Sequence, residues 1–304
     1  MISVLMCVYN ETEYELRCSI ESILAQSFDD FEFIIILDNP NNDLLLNVIY
    51  EYEKSDDRIR LLINSYNMGL IASLNKGLLE AKGDYVARMD ADDISSRNRL
   101  LLQKEYLDSH KDISVVFGNA IYIDETGNII KKNLKLDDAN IRKIMRIRNC
   151  VIHPCTMFRK KNVLDLGGYR EVFSVEDYDL WTRLLINGND IGVIDKYLLK
   201  YRVRGNGISQ KNAYIQRVLV KNIRRCFRKN KIVNIDSVGL IIKCISDDRK
   251  KRYNNAIMYY DRAWQYFNKH YYHYFLFYLF VSFFGDIEIL SVLLDELVVY
   301  WYLK

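Results

Sequence analysis

The sequence predicts an α/β fold in which helices cover both faces of a mostly parallel β-sheet. Over roughly the first 120 residues, short apolar runs alternate with segments whose apolar residues recur at helical spacing. This alternation is typical of parallel sheets, because each helix serves as the crossover between two strands. Polar residues directly follow three of the apolar runs. Since ligands bind beyond the carboxyl ends of parallel strands, these positions are candidate site residues.

Five strands and four helices are predicted in this part of the chain. The strands are apolar runs at residues 2–8, 31–37, 59–63, 85–89 and 115–123. The helices carry apolar residues at helical spacing, at residues 16–25, 44–52, 71–80 and 97–109. Further along the pattern is less regular, with a predicted turn at 124–128, a strand around 155–158 and a helix that begins at Glu176.

Size and composition are those of an ordinary folded protein. The chain has 304 residues, 50% hydrophobic and 27% charged, and its net charge of +3 is too small to suggest nucleic-acid binding. The six cysteines lie far apart without a CxxC pair, which favours free thiols in a reducing compartment over disulfides or zinc ligands. The N-terminus begins with an apolar run and lacks a basic region, so we expect no signal peptide and a cytoplasmic protein.

The character of the sequence changes after about residue 210, and we predict a domain at 1–209 and a helical C-terminal region at 210–304. Between 211 and 235 basic residues recur at near-helical spacing without any acidic residue. Such a helix could lie on an anionic membrane, or present a solvated face while packing on the first domain. The uncharged run 271–284 is shorter than the roughly 20 residues that span a bilayer. It favours membrane or partner contact, although aromatic residues at this spacing are also typical of a core.

The strongest chemical signal is the acidic segment Asp90-Ala91-Asp92-Asp93. Three carboxylates at the end of a predicted strand repel one another and raise one another's pKa unless a cation neutralises them. Oxygen ligands alone favour a hard ion, so Mg²⁺ or Mn²⁺ is the predicted cofactor. The alternative is a solvated turn in which Asp93 or Ser95 caps the helix from residue 97. The position at the carboxyl end of a strand favours the metal site.

Two further carboxylates lie at positions suited to a site. Asp38 follows four apolar residues and would accept a hydrogen bond from a nucleotide base at the rim; the alternative is a plain turn rich in Asn and Pro. Asp177 lies next to Glu176 at a predicted helix start, where the helix dipole favours carboxylates. The same position would suit a general base, if an acceptor hydroxyl lies within hydrogen-bond reach.

His153 and the pair Arg202 and Arg204 are weaker candidates. A single histidine is more often a structural residue than a catalyst. The two arginines alternate along a predicted strand and are expected to point to opposite faces, so that at most one of them reaches a phosphate.

In this order, the segments resemble the family 2 glycosyltransferases with the GT-A fold, a Rossmann-like sheet flanked by helices. The resemblance covers about residues 1 to 209 and rests on an ordered set of motifs, since a single Asp-x-Asp is a weak signal. The motifs lie at residues 3–10, 26–28, 31–35, 67–77, 83–93, 153–154, 167–169 and 176–181.

The resemblance implies a role for each candidate. Asp92 would be the principal metal ligand, bridged to the donor pyrophosphate, and Asp90 would lie near the ribose and the metal. Asp177 would be the general base that deprotonates the acceptor hydroxyl for a direct, inverting displacement. The residues expected along the nucleotide are Cys7, Tyr9 and Glu11, largely through their backbone, with Asp38 at the base.

Two departures from the family pattern change these expectations. After the second strand the family often has two acidic residues followed by Gly-Ser, whereas this chain has Asp38-Asn39-Pro40, with one carboxylate fewer and a stiffer loop. Arg204 stands where many relatives carry a histidine near the metal or diphosphate. A guanidinium does not ligate a metal but pairs with phosphate, so Arg204 is predicted to contact the diphosphate.

The predicted function is transfer of a sugar, from a UDP-sugar as the commonest donor of the family, to a saccharide or polyprenyl-linked acceptor. The expected setting is surface-polysaccharide synthesis, with peripheral contact to the inner face of the membrane. A sugar-nucleotidyltransferase is disfavoured because residues 8–13 contain no glycine-rich loop. A non-catalytic scaffold of the same fold is the other alternative, and the presence of Asp92 and Asp177 argues against it.

Overall fold

The computed structural model describes residues 1–133, 136–204 and 212–302, and the chain divides into two compact units. The first unit comprises Met1–Arg142, Cys150–Glu171 and Glu176–Arg204. The second comprises Lys143–Asn149, Val172–Val175 and the chain from Gly205 onward. The domain boundary predicted at residue 209 lies outside the described residues.

A nine-stranded sheet forms the centre of the first unit, in the order β3-β2-β1-β4-β8-β6-β9-β5, with β7 paired to β6. The pairs among β1, β2, β3 and β4 are parallel, as is β6 with β9. Strand β8 is antiparallel to both β4 and β6, so the far half of the sheet is mixed. The strands are β1 Ile2–Val8, β2 Phe31–Leu37, β3 Ile59–Ile63, β4 Tyr85–Asp90, β5 Ile94–Ser95, β6 Ile113–Ile123, β7 Ile129–Lys132, β8 Thr156–Arg159 and β9 Asp190–Arg202.

Helices connect the parallel strands, and the predicted α/β class is confirmed. Three helices follow β1, β2 and β3 in turn, and each leads to the next strand, as the sequence pattern predicts. The strands are apolar on both sides because helices cover both faces of the sheet; β2, for example, has six of its seven residues buried. The helices are α1 Glu13–Leu24, α2 Asp43–Ser55, α3 Leu70–Glu80, α4 Arg99–Ser109, α5 Asp138–Met145, α6 Lys160–Asp165 and α7 Glu176–Ile186.

The parallel register brings the carboxyl ends of three strands to one edge. Cys7 near the end of β1 is paired with Ile36 of β2 on one side and with Asp90 of β4 on the other. The loops that follow these strands therefore begin side by side. This edge is where the sequence predicts the site.

The second unit consists of helices α8 Ala213–Arg228, α9 Ile235–Lys243, α10 Asp247–Asn268, α11 Tyr272–Gly285 and α12 Glu288–Tyr302. Its small buried centre includes Tyr253, Ala256, Tyr260 and Ile289. Within the part of the chain that the structure describes, none of the helices is both long and apolar enough to cross a membrane.

The basic residues of α8 divide into two groups. The Nη1 atoms of Arg217 and Arg224 each lie 2.9 Å from Asp295 Oδ2 of α12, and Lys221 forms an ion pair with Glu288 at the start of the same helix. For these three residues the prediction of a solvated or membrane-facing surface is wrong, because their charges are neutralised inside the unit. Among the described residues of the segment, the exposed basic ones are Arg225 and Arg228 in α8 and Lys229 and Lys231 after it.

Gly77 provides a test of the packing of α3 on the sheet. A Cβ added there would lie 2.9 Å from Ile36 Cδ1 and would overlap Leu5 Cδ1. We expect Gly77→Val to lower the free energy of unfolding by about 1–3 kcal/mol, as is usual for overpacking a filled core. Urea denaturation followed by circular dichroism measures this change. The control is Leu79→Val on the exposed side of α3, where the side chain is 76% exposed; equal midpoints for both variants would contradict the packing described here.

Candidate functional site

The acidic cluster lies in the loop that connects β4 to β5. One carboxylate oxygen from each of Asp90, Asp92 and Asp93 lies within 4.8 Å of the others. The side chains of Asp90 and Asp92 are 33% and 21% exposed, whereas Asp93 is buried. Burial, followed by repulsion from Asp90, raises the pKa of Asp92 to about 7, and the same two causes raise the pKa of Asp93 well above its usual value.

A divalent cation fits this cluster. The ligand atoms are all carboxylate oxygens, which Mg²⁺ and Mn²⁺ prefer. Asp93 Oδ2 is buried and has no hydrogen-bond partner among the described residues, so one charged oxygen is uncompensated. The alternative in which Asp93 or Ser95 caps the next helix is wrong, because Ser95 lies in β5 and α4 begins at Arg99 after the N-cap Asn98.

Arginines surround the cluster. Arg88 is 2% exposed and pairs with Asp90. Arg204 Nε lies 2.9 Å from Asp92 Oδ2 as an ion pair, and Arg204 Nη2 donates a hydrogen bond to Glu15 Oε2 at 2.9 Å. The predicted phosphate ligand therefore lies directly beside the predicted metal ligand.

Arg202 holds the backbone of the acidic loop. Its amide N–H donates to Asp93 Oδ1 at 2.8 Å, and its Nε donates to the Asp92 carbonyl oxygen at 2.8 Å. Arg202 Nε also lies 3.8 Å from Glu15 Oε1. The expectation that Arg202 and Arg204 point to opposite faces is wrong: residues two apart on a strand share a face, and both arginines contact Glu15.

The residues predicted along the nucleotide lie at the end of β1. Burial raises the pKa of the Cys7 thiol to about 12, so it remains protonated at neutral pH. Glu11 accepts hydrogen bonds from the backbone N–H groups of Tyr9 and Asn10 at 2.8 and 3.1 Å, which fixes the loop. Burial also raises the pKa of Glu11. The Tyr9 side chain is 46% exposed and extends from the edge of the sheet.

Asp38 is buried and already accepts three hydrogen bonds. Its Oδ1 accepts from Asn64 Nδ2 and from the Met68 amide at 2.7 and 2.8 Å, and its Oδ2 accepts from the Gly69 amide at 2.9 Å. Asp38 thereby holds the loop that precedes α3. Only one of these bonds reaches Oδ2, so this oxygen retains capacity for a further donor. Its contact with a nucleotide base stays a prediction.

Asp177 lies in the first turn of α7, where its Oδ1 accepts from the Tyr178 amide at 2.6 Å. The neighbouring Glu176 is 9% exposed, and burial, followed by the charge of Asp177, raises its pKa to about 7. Arg88 lowers and Asp90 raises the pKa of Glu176, so the charges of the acidic cluster act on the start of α7.

Buried charges anchor α7 in this position. Asp179 accepts from Arg183 Nε at 2.8 Å and from Arg170 Nε at 3.0 Å, and Arg183 donates in turn to the carbonyl oxygens of Leu166 and Gly168. The glycine-rich segment 167–169 is thus tied to the helix that carries Asp177.

His153 has a structural role. Its Nε2 lies 2.8 Å from Tyr169 Oη, and its ring contacts Trp181 edge-on. Burial lowers the pKa of His153 well below its usual value, so the ring is neutral. This agrees with the more frequent interpretation of a single histidine.

Three residues of the site were missed by sequence reasoning. Glu15 is 6% exposed and belongs to a Thr12-x-x-Glu15 capping box, which signals only a helix start. Arg88 lies within the apolar run that forms β4. A charged residue at such a position was the signal that could have identified it. Asn64 connects Asp38 to Ser73 and to Lys76 Nζ, and follows β3 directly.

Comparison with known proteins identifies the family. The model of glycosyl transferase family 2 matches residues 3–167, more than half of the chain. The chain belongs to glycosyltransferase family 2. The O-antigen biosynthesis glycosyltransferase WbnJ of Escherichia coli is 33% identical over 238 residues, which cover 77% of this chain and 92% of WbnJ. The UDP-Glc:alpha-D-GlcNAc-diphosphoundecaprenol beta-1,3-glucosyltransferase WfgD of Escherichia coli is 29% identical, over 69% of this chain and 79% of WfgD.

Solved structures confirm the GT-A fold of this glycosyltransferase. TarS of S. aureus (residues 1–349), solved in complex with UDP-GlcNAc, superposes with a TM-score of 0.58. The alignment covers 79% of this chain and 70% of TarS at 20% identity, so the likeness concerns the fold alone.

The raised pKa of Asp92 predicts that this glycosyltransferase binds a cation less tightly as the pH falls. Below pH 7 the carboxyl holds a proton that an incoming cation must displace, whereas above pH 7 it is ionised. We therefore expect the Mn²⁺ dissociation constant to rise by up to roughly tenfold per pH unit as the pH falls below 7. Isothermal titration between pH 8 and pH 5.5, with buffer ionisation corrected, tests this at roughly one-unit steps. An affinity that does not change over this range would contradict a proton held by Asp92 near neutral pH.

Proposed function

We propose that this glycosyltransferase is a metal-assisted, inverting enzyme that moves a sugar from a nucleotide sugar to a hydroxyl of a saccharide or lipid-linked saccharide. The carrying observation is the acidic cluster at the carboxyl edge of the sheet, with Arg204 beside it. A UDP-sugar is the proposed donor, which agrees with the named substrate of WfgD and with the UDP-GlcNAc bound to TarS.

Asp92 is the proposed principal metal ligand, with Asp90 as the second. Their side chains are partly exposed, so both can reach a cation that also binds a phosphate. Asp93 is buried and held by Arg202, which suits it to fix the loop and compensate charge from behind. A bound Mg²⁺ or Mn²⁺ would offset the negative charge of the departing diphosphate.

Arg204 is proposed to contact the donor diphosphate. It is held between Asp92 and Glu15 by ion pairs of 2.9 Å each, and its side chain remains 29% exposed. If Asp92 held a cation, the guanidinium would still have Glu15 as a partner. It can then pair with a phosphate oxygen, as guanidinium groups readily do.

Asp177 is the proposed general base. It would take the proton of the acceptor hydroxyl while the acceptor oxygen bonds to the anomeric carbon and the bond from that carbon to the diphosphate oxygen breaks. A single displacement from the opposite side inverts the anomeric configuration. Glu176 would be its buried neighbour, and burial, followed by the charge of Asp177, raises the pKa of Glu176.

The remaining candidates are proposed as nucleotide contacts. The backbone at Cys7, Tyr9 and Glu11 would lie along the nucleoside, and Asp38 Oδ2 would accept a hydrogen bond from the base. The proposed setting is surface-polysaccharide synthesis, which agrees with the names of WbnJ and WfgD. The proposed location is the cytoplasmic side of the membrane, with peripheral contact.

A donor panel read by thermal shift with Mn²⁺ tests the metal and the base separately. We expect a nucleotide sugar to raise the melting temperature of the wild type and of Asp177→Asn, but not of Asp92→Asn, because only the last loses a cation ligand. Transfer activity should fall by at least about 100-fold in both variants. The matched control is Asp57→Asn, a change at an exposed carboxylate.

Full transferase activity in Asp177→Asn would remove the assignment of the base. Failure of every donor to release nucleoside diphosphate in the wild type, with either metal and with saccharide acceptors present, would favour the non-catalytic scaffold.

Replacement of Arg204 should affect the affinities for the metal and for the diphosphate in opposite directions. In Arg204→Ala the Asp92 carboxylate loses its ion-pair partner, so Mn²⁺ alone should bind as tightly as in the wild type or more tightly. UDP in the presence of Mn²⁺ should bind about 10–100-fold more weakly, because one charge-assisted contact with a phosphate is lost. Isothermal titration measures both constants, with the surface variant Arg17→Ala as control. Unchanged UDP affinity in Arg204→Ala would contradict the phosphate contact.

A further inference from the structure

Helix α12 is apolar on two sides, because Ile289 and Val299 are buried in the unit while other apolar residues point outward, and its charged residues are engaged within the unit. Glu288 pairs with Lys221, Asp295 lies 2.9 Å from Arg217 and Arg224, and Glu296 accepts a hydrogen bond from Tyr260 Oη at 2.6 Å. Helices on the surface of a soluble protein normally have an apolar stripe toward the core and charged residues toward the solvent, so the outward apolar side chains of α12 are unusual.

The outward residues of α12 form a single stripe. Their spacing of three, four and seven residues places them on one side of the helix. All are apolar, with exposed fractions from 43% to 73%: Leu290, Leu294, Leu297, Val298 and Trp301.

Helix α11 adds a second apolar stripe. Between Tyr272 and Gly285 the sequence contains no Asp, Glu, Lys or Arg. Its outward side chains are 59% to 78% exposed, and the stripe continues to the residue that leads into α12: Leu276, Phe277, Phe280, Phe284 and Ile287. Helices α11 and α12 contact each other. We call these ten residues on the two helices the apolar face.

The surface of the second unit is also strongly basic. From residue 205 to 304 there are 16 Lys and Arg residues against 8 Asp and Glu, a formal charge of +8 in a chain whose total is +3. Half of these acids are engaged inside the unit, namely Asp286, Glu288, Asp295 and Glu296. Exposed basic side chains therefore outnumber exposed acidic ones among the described residues.

Aromatic residues with a polar end stand near the ends of the two helices. Tyr271, Tyr272 and Tyr274 at the start of α11 are 48% to 52% exposed, and Tyr300 near the end of α12 is 49% exposed. Together with Trp301, these are side chains that prefer the boundary between water and hydrocarbon.

We propose that the apolar face binds the surface of an anionic lipid bilayer, with α11 and α12 lying in the interface. The apolar face has no charged side chain that would orient a protein partner, whereas a bilayer offers hydrocarbon to the stripes and phosphate groups to the surrounding lysines and arginines. The 14 residues of α11 span about 21 Å, less than the roughly 30 Å of a hydrocarbon core, which suits a helix in the interface. The inference rests on the peripheral membrane contact in the proposed function and specifies the surface that makes it, but it does not depend on the donor or on the chemistry proposed for the first unit.

Vesicle flotation of the full chain tests this inference. Vesicles of phosphatidylcholine alone are compared with vesicles that also contain phosphatidylglycerol, at low and high salt. We expect the wild type to bind the mixed vesicles more tightly than the neutral ones, and high salt to weaken that preference. The double variant Phe284→Ser/Trp301→Ser should lose at least about tenfold in affinity, since it removes two large exposed side chains from the apolar face.

The matched control is Leu79→Ser, which removes an exposed apolar side chain of the first unit that is 76% exposed. It should bind vesicles as the wild type does. Because all three positions are exposed, the variants should keep the melting temperature of the wild type. They should also retain release of nucleoside diphosphate from the donor in solution without vesicles, so that failure of the proposed chemistry and failure of membrane binding are separate results.

Three outcomes would overturn the inference. The first is a wild type that binds neither type of vesicle in any salt, and the second is a double variant that binds as tightly as the wild type. The third is a dimer of the wild type, detected by light scattering, that the double variant does not form, without vesicle binding. The last outcome would assign the apolar face to a second copy of the chain.

Discussion

Arg202 lies at the end of β9 and holds the acidic loop through both its backbone and its side chain. The amide binds Asp93, the guanidinium binds the Asp92 carbonyl oxygen, and the same guanidinium donates to the carbonyl oxygens of Asp124 and Glu125 in the turn after β6. The position of the predicted metal ligands therefore depends on a strand that lies beyond β8 and β6 in the sheet. Hydrogen bonds to charged groups typically contribute about 1.5–3 kcal/mol each, so these contacts together favour one position of the loop.

The charges around this loop are unequal, and their imbalance has a chemical use. Negative side chains outnumber positive ones among the residues in electrostatic contact there, which are Glu11, Glu15, Asp90, Asp92, Asp93 and Glu176 against Arg88, Arg99, Arg202 and Arg204. Burial, followed by repulsion between the carboxylates, raises the pKa values of Asp92 and Asp93. The arginines hold the carboxylates together despite their repulsion, and enough negative charge remains to attract a divalent ion.

Much of the parallel half of the fold could be predicted from the sequence, because its strands are buried on both faces and appear as continuous apolar runs. The bounds of β1 and β2 agree with prediction for this reason. Those of β3 also agree, although only Ile59 of its five residues is buried. Strand β8 was placed correctly in the sequence, but its insertion between β4 and β6 in the opposite direction was not predicted, since pairing partners leave no local signal.

The contacts within the site could not be predicted from the sequence for the same reason, because long-range partners leave no local signal. Strand-end positions identified the acidic cluster and Asp38, but nothing near Glu15 in the sequence indicates that it meets Arg204, 189 residues away. The basic pattern of α8 was recognised, yet three of its charges pair with α12 across more than 60 residues. Local periodicity predicts which face of a helix is polar, whereas only the tertiary structure decides what that face meets.

Glu15 shows what such long-range pairing implies for variation in this enzyme. Its Oε2 accepts from the amide and hydroxyl of Thr12, which begins α1, and also from Arg204. A replacement that adapted the arginine to a different donor would at the same time remove the reciprocal bond of the helix start. Position 15 is therefore constrained from two sides, and changes there should be tolerated only together with changes at residues 12 and 204.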